Sequence, residues 1–155
     1  ADYNVPPGVT SNEGEGEGDD WPAIREKILS HDILVFGGPV WLGQIGSVAK
    51  RVLERMDAFT SEPEGQGRMP SFGKVAIAAI VGNEDGAHWS SAQLFQSLND
   101  TGWTIPAGAA CYWVGEAMGS IDFKELPATL YAVTDTAQMY AINAAHIAKL
   151  LACNT

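Results

Sequence analysis

The residues best suited to hold a ligand lie in Gly37-Gly38-Pro39-Val40-Trp41-Leu42-Gly43-Gln44, which follows directly on the apolar run Asp32-Ile33-Leu34-Val35-Phe36. Gly37 and Gly38 let the backbone turn and approach a ligand closely, Pro39 stiffens the turn, and Trp41 offers a flat surface. A compact strand-to-helix connection with Trp41 in the core would use the same residues, and these residues alone leave both readings open. A second such loop, Gly82-Asn83-Glu84-Asp85-Gly86, follows the apolar run Val75 to Val81. Glu84 and Asp85 make it poor for phosphate but suitable for accepting hydrogen bonds from ring N–H groups, with a solvated turn as the alternative. Tyr112-Trp113 with Gly115-Glu116 forms a third candidate. None of the three combines a nucleophile with a base, so they favour holding a planar cofactor over covalent or acid–base catalysis.

Other chemistries find no pattern. Gly14, Gly16 and Gly18 sit in an acidic stretch with no strand before them, so they are not a dinucleotide fingerprint, and the stretch lacks the spacing of a calcium loop. Walker A, zinc-protease and nucleophile-elbow patterns are missing from the sequence. His31, His88 and His146 lie far apart. His31 and His146 read as surface residues, whereas His88 opens a helix beside the second loop, where a ligand contact stands as the alternative to a role in the structure alone. Cys111 in an apolar run and Cys153 near the end make neither a disulfide framework nor a metal-ligand spacing, which points to a reducing cytoplasm.

The elements that must position these loops alternate along the chain. The 155 residues suit one domain. Residues 11–20 alternate Glu and Gly and form a solvated loop, and residues 60–73 read as an exposed connection. Ile33 to Phe36 and Val75 to Val81 are short and uniformly apolar, as expected of strands buried on both faces of a parallel sheet, and a last strand runs within Ala107 to Val114. Helices are expected with Pro22 in the first turn and an end near Ser30, from about Gly46 or Ser47, from about Ala87 to Asp100, and from near Pro127. On the second, Val48, Val52, Met56 and Phe59 face inward, with Lys50, Arg51, Glu54, Arg55 and Asp57 on the wet side. Strand and helix alternation gives an α/β fold with a doubly wound parallel sheet in three α/β/α layers. In such sheets the ligand crevice lies at the carboxyl ends of the strands, where all three candidate loops fall.

A formal charge of -10, from nineteen acids against nine bases, argues against nucleic acid or an anionic membrane as a partner. No stretch reads as a membrane span or signal peptide.

With these residues assembled, the chain resembles the NAD(P)H-dependent FMN reductase branch of the flavodoxin-like superfamily. The resemblance rests on residues 32–43, on Ser47-Val48-Ala49-Lys50-Arg51-Val52-Leu53-Glu54-Arg55-Met56-Asp57, and on Gly73-Lys74-Val75-Ala76 with Gly82 to Gly86. It implies a flavodoxin-like fold and FMN as cofactor, with NADH or NADPH as hydride donor and a quinone or flavin as small acceptor. By the same resemblance Pro39, Val40, Trp41, Leu42, Gly43 and Gln44 line one side of the flavin ring. Val81, Gly82, Asn83, Glu84, Asp85 and Gly86 bond its pyrimidine edge through backbone groups, and Tyr112 or Trp113 covers the remainder. Family members are commonly dimers or tetramers, so a homodimer or homotetramer is implied. The family's first strand and its Ser/Thr-rich phosphate loop have no counterpart here. The chain is therefore expected to be the C-terminal portion of such a domain, with Ala1 to Val5 as the end of a second strand. A flavodoxin-like electron carrier and an apo interaction or structural module are the alternatives to a reductase.

Overall fold

The computed structural model describes residues 3–9 and 14–153. Helix α1 (Trp21–Leu29) leads into strand β1 (Ile33–Trp41), which folds back into the short strand β2 (Gln44–Ile45) before helix α2 (Ser47–Met56). Strand β3 (Val75–Gly82), helix α3 (Ala87–Asp100), strand β4 (Ala110–Val114) and helix α4 (Tyr131–Ala152) complete the order. The sheet runs β2-β1-β3-β4. β1 pairs in parallel with β3 from Ile33↔Val75 to Pro39↔Val81, and β3 pairs in parallel with β4. β2 is antiparallel to β1 through Val40↔Ile45 and Trp41↔Gln44, an addition to the expected parallel sheet.

Alternation along β3 feeds two cores. Ala76, Ala78 and Ile80 join Phe36 and the helical residues Trp21, Leu53, Met56, Leu94 and Leu98 on one face. Val75 and Ile77 meet Ala144 and Ala148 of α4 on the other. The alanines keep the strand surface low, so helices pack closely on both sides and give the three layers.

β3 is buried on both faces as its sequence requires, but β1 is not. Val35 is 54% exposed and Gly37 is exposed, because β1 ends the long part of the sheet. The N–H of Val75 donates to the carbonyl of Asp32, whereas the carbonyl of Pro39 accepts from Gly46 on the β2 side. Strand alternation therefore turns the backbone groups of Ile33, Val35 and Gly37 outward, and the hairpin side reaches the edge only at Pro39, through Gly46, and at Trp41, opposite Gln44. Pro39 fits this edge because it has no N–H to leave unpaired there.

Four further expectations are corrected. Arg55 is fully buried rather than wet, where it bonds the Asp19 carboxylate at 2.7 Å and lies over the Trp21 ring. Val48 is 56% exposed because the first turn of α2 overhangs the open edge of β1. α4 starts at Tyr131 rather than near Pro127, because the backbone is extended at Leu126 and again at Leu130, after a short 3₁₀ turn at Phe123–Glu125. Residues 3–6 form no strand; Val5 is buried and its carbonyl accepts from Arg51. The connection at 60–73 is exposed over most of its length and is tied down at its end by the buried hydroxyl of Ser71, which donates to the carbonyl of Thr101. The acidic loop of residues 11–20 falls partly outside the described residues.

Candidate functional site

The carboxyl ends of β1, β3 and β4 meet around a cleft of about 430 Å³. Pro39, Val40 and Trp41 supply one wall, Val81, Gly82 and Asn83 the floor, and Trp113 the far side. A smaller recess of about 270 Å³ joins it between the first two loops, where Leu42 and Gly43 face Glu84 and Asp85. The cleft volume falls within the range of about 300–1,000 Å³ typical of small-molecule sites.

Glycine contacts make this seat rigid. Gly86 has φ +81° and caps α3, and a Cβ built on it would stand 2.7 Å from both Gly43 Cα and Val40 Cγ1. A Cβ on Gly115 would stand 2.5 Å from the carbonyl oxygen of Asn83. The three loops therefore touch backbone to backbone. Leu42 (φ +51°) and Gly43 (φ +71°) form the two-residue turn between β1 and β2, with both central residues left-handed as a tight hairpin of primed type requires. Leucine is unusual there, and its side chain is fully exposed. Backbone held in that region for a non-glycine residue collects at ligand clamps.

Most of the sequence candidates converge on the cleft and its recess. Gly86 does not line them but fixes the loops that do. Gln44 is turned away: its Oε1 accepts from Trp89 Nε1 and Gln93 Nε2, both at 2.9 Å, on the far side of the β2 hairpin. Tyr112 and Trp113 point to opposite faces of the sheet, as neighbours in a strand must. Trp113 enters the cleft, whereas the Tyr112 hydroxyl meets His88 Nε2 at 3.0 Å with the rings edge to face. His88 is thus held by Tyr112.

Sequence reasoning missed Asp122, Phe123 and Lys124, which close the cleft beside Trp113. The Phe123 and Trp113 ring centroids are 5.5 Å apart. Asp-x-x-Glu at Asp122 and Glu125 is a capping-box pattern that announces this turn. Burial raises the Cys111 thiol and Tyr140 phenol above their ordinary values, and Cys111 sits buried between β4 and α4, where its thiol donates to the carbonyl of Val133. Among the described residues no group of His, Cys, Asp or Glu is arranged to hold a metal.

The family model for NADPH-dependent FMN reductases matches residues 1–118. The chain belongs to this family. The 8-demethyl-8-aminoriboflavin-5'-phosphate synthase of Streptomyces davaonensis is 31% identical over 134 residues, 86% of this chain and 52% of that protein. A protein of Mycobacterium bovis named divalent metal cation transporter MntH is 41% identical over 99 residues, 64% of this chain but 14% of that protein. The chain thus spans about half of one of these relatives and a small part of the other. Among solved structures, RosB with the bound intermediate 8-demethyl-8-formylriboflavin-5'-phosphate superposes with a TM-score of 0.82 at 30% identity, over 92% of this chain and 57% of that one. Rubredoxin oxygen:oxidoreductase of Desulfovibrio gigas superposes at 0.53 with 16% identity, over 78% and 24% of the two chains, and shares the fold alone. The fold is therefore flavodoxin-like, and the chain's family is that of the NADPH-dependent FMN reductases.

The residues present fit the ring of a flavin. Pro39 and Val81 are apolar, Trp41 and Trp113 are flat, and the exposed backbone of residues 83–85 offers donors and acceptors at one edge. They do not supply a phosphate seat. Among the described residues, the turns that follow β1, β3 and β4 include no Ser/Thr-rich strand-to-helix loop.

Proposed function

We propose that the protein is an FMN-dependent oxidoreductase that passes a hydride from NADH or NADPH to bound flavin and on to a small acceptor, a quinone or a free flavin. The observation that carries this reading is the cleft itself: three strand-end loops, two indoles and backbone polar groups converge without a nucleophile–base pair. When bound, the flavin supplies the two-electron chemistry. The chain's residues bind and orient. Trp41 and Trp113 stack or flank the ring, Pro39 and Val81 exclude water from it, and the 82–86 loop reads its polar edge. Gly43 and Gly86 keep the two loops at fixed spacing.

The reading extends to a cytoplasmic protein that works as a homodimer or homotetramer, without nucleic-acid or membrane partners. No helix among the described residues is long and apolar enough to cross a membrane. Titration of FMN with the purified chain should quench flavin fluorescence, and the mixture should oxidise NADH or NADPH when a quinone is added. A protein that leaves FMN fluorescence unchanged overturns the proposal.

A second reading takes flavin as the substrate. The 31% identity to the aminoriboflavin phosphate synthase over 86% of the chain favours it. Chromatography of the flavin after incubation separates the two: recovered FMN supports the cofactor reading, and an altered flavin the substrate reading.

A further inference from the structure

The cleft is rimmed by acids and holds one cation. Glu84 and Asp85 border the recess and Asp122 lines the main cleft, whereas Lys124 is the one Lys or Arg among the described lining residues. In a chain carrying nineteen acids against nine bases, a cation at this place stands out from its surroundings. It is also placed by two independent anchors. The Asp122 N–H donates to Glu125 Oε2 at 2.8 Å within a capping box that closes the turn, and the Phe123 ring packs on Trp113. The residue between those anchors is Lys124. Its ammonium lies 3.6 Å from the Asp122 carboxylate and stays 79% exposed, so the ammonium is only partly engaged and its flexible stem can reach into the cleft.

We propose that Lys124 supplies the countercharge for the negative charge that two-electron reduction places on a flavin in this cleft. The proposal rests on the flavin reading above. A hydride carries one proton and two electrons, so adding it to a neutral ring leaves one net negative charge. A nearby ammonium stabilises that charge without any proton having to move. Lys124 would then favour the reduced over the oxidised ring and leave binding of the neutral oxidised ring nearly unchanged. It is a charge-stabilising residue and takes no part in covalent chemistry.

The test compares wild type, Lys124→Gln and Lys124→Arg. Midpoint potentials of the FMN complexes are measured against a reference dye, and affinities for oxidised FMN and riboflavin by fluorescence quenching. In Lys124→Gln the preference for the reduced flavin should fall about tenfold, a potential about 30 mV more negative for a two-electron couple, and Lys124→Arg should restore it. Oxidised FMN and riboflavin should bind all three proteins within about threefold of each other. A potential unchanged in Lys124→Gln overturns the assignment. A loss of FMN affinity with riboflavin affinity retained also overturns it, because Lys124 would then hold the phosphate. Wild type that quenches neither flavin refutes the flavin reading itself, an outcome distinct from the other two.

Discussion

Gly86 combines two demands that no residue with a Cβ can meet. It sits at φ +81° to start α3, and it lies against Gly43 and Val40 so closely that a methyl group would stand 2.7 Å from a backbone carbon. The first demand is common and tolerates Asn; the second does not. In Gly86→Ala the 39–44 and 82–86 loops must separate, which widens the recess and displaces the cleft wall. We expect the folded protein to lose more than about 1 kcal/mol in urea unfolding. FMN affinity should fall at least tenfold, read by fluorescence quenching, because ring contacts depend on loop spacing rather than on any one side chain. Full affinity with full stability would mean that the loops adjust freely and the seat is not rigid.

At the scale of elements, the chain before α1 is fastened to α2 by a buried ion pair. The Asp19 carboxylate, 1% exposed, meets Arg55 at 2.7 Å and also accepts from the backbone N–H groups of Glu15 and Trp21. Burial alone would push the Asp19 carboxyl up, but these bonds and the guanidinium outweigh it and hold it below its ordinary value of 3.8. A carboxylate with a depressed folded-state value adds stability above its unfolded value and loses it as pH falls through the folded one. Stability should therefore drop below about pH 4 in wild type, and this part of the drop should vanish in Asp19→Asn. Removing the carboxylate leaves Arg55 buried with Nε and Nη2 already unbonded, so Asp19→Asn should cost about 3 kcal/mol at pH 7, read by urea unfolding. An equal acid sensitivity in both proteins would place the titrating group elsewhere. This pair also marks how far sequence could be read. Uniform apolar runs disclosed β1 and β3, and helical spacing disclosed α3, because burial leaves a periodic signal. Arg55 lies on the polar side of α2 by that same spacing, and only the remote Asp19 makes its burial affordable in charge. The β2 hairpin was hidden because Leu42 occupies a position where Asn or Gly would announce the turn. Asp122 to Lys124 joined the site through the loop between Val114 and Tyr131, whose path to the cleft is not set by the capping-box pattern at Asp122.

At the scale of the whole molecule, the sheet is asymmetric. One side of β1 is fully paired with β3, and the other offers the outward backbone groups of Ile33, Val35 and Gly37 with no strand beyond them among the described residues. Beside that edge lies an apolar trough of about 300 Å³ that includes Leu34, Val48 and Val52, and α4 adds the exposed Met139 and Ile142 to the surface of the molecule. A free strand edge with apolar borders is a template for pairing with another chain. The charge of -10 opposes that pairing between identical copies, and salt weakens the opposition while leaving the apolar contact intact. Sedimentation should therefore show mass that rises with protein concentration and rises further between low and physiological salt. Val35→Lys places a charge at the centre of the edge and should abolish the rise without changing the circular dichroism spectrum. Hydrogen exchange reads the same edge directly: the amides of Val35 and Gly37 should exchange much faster than those of Leu34 and Phe36, and the gap should narrow as concentration increases. Slow exchange at Val35 and Gly37 in dilute monomer would contradict an open edge, and association that survives Val35→Lys would move the contact to another face.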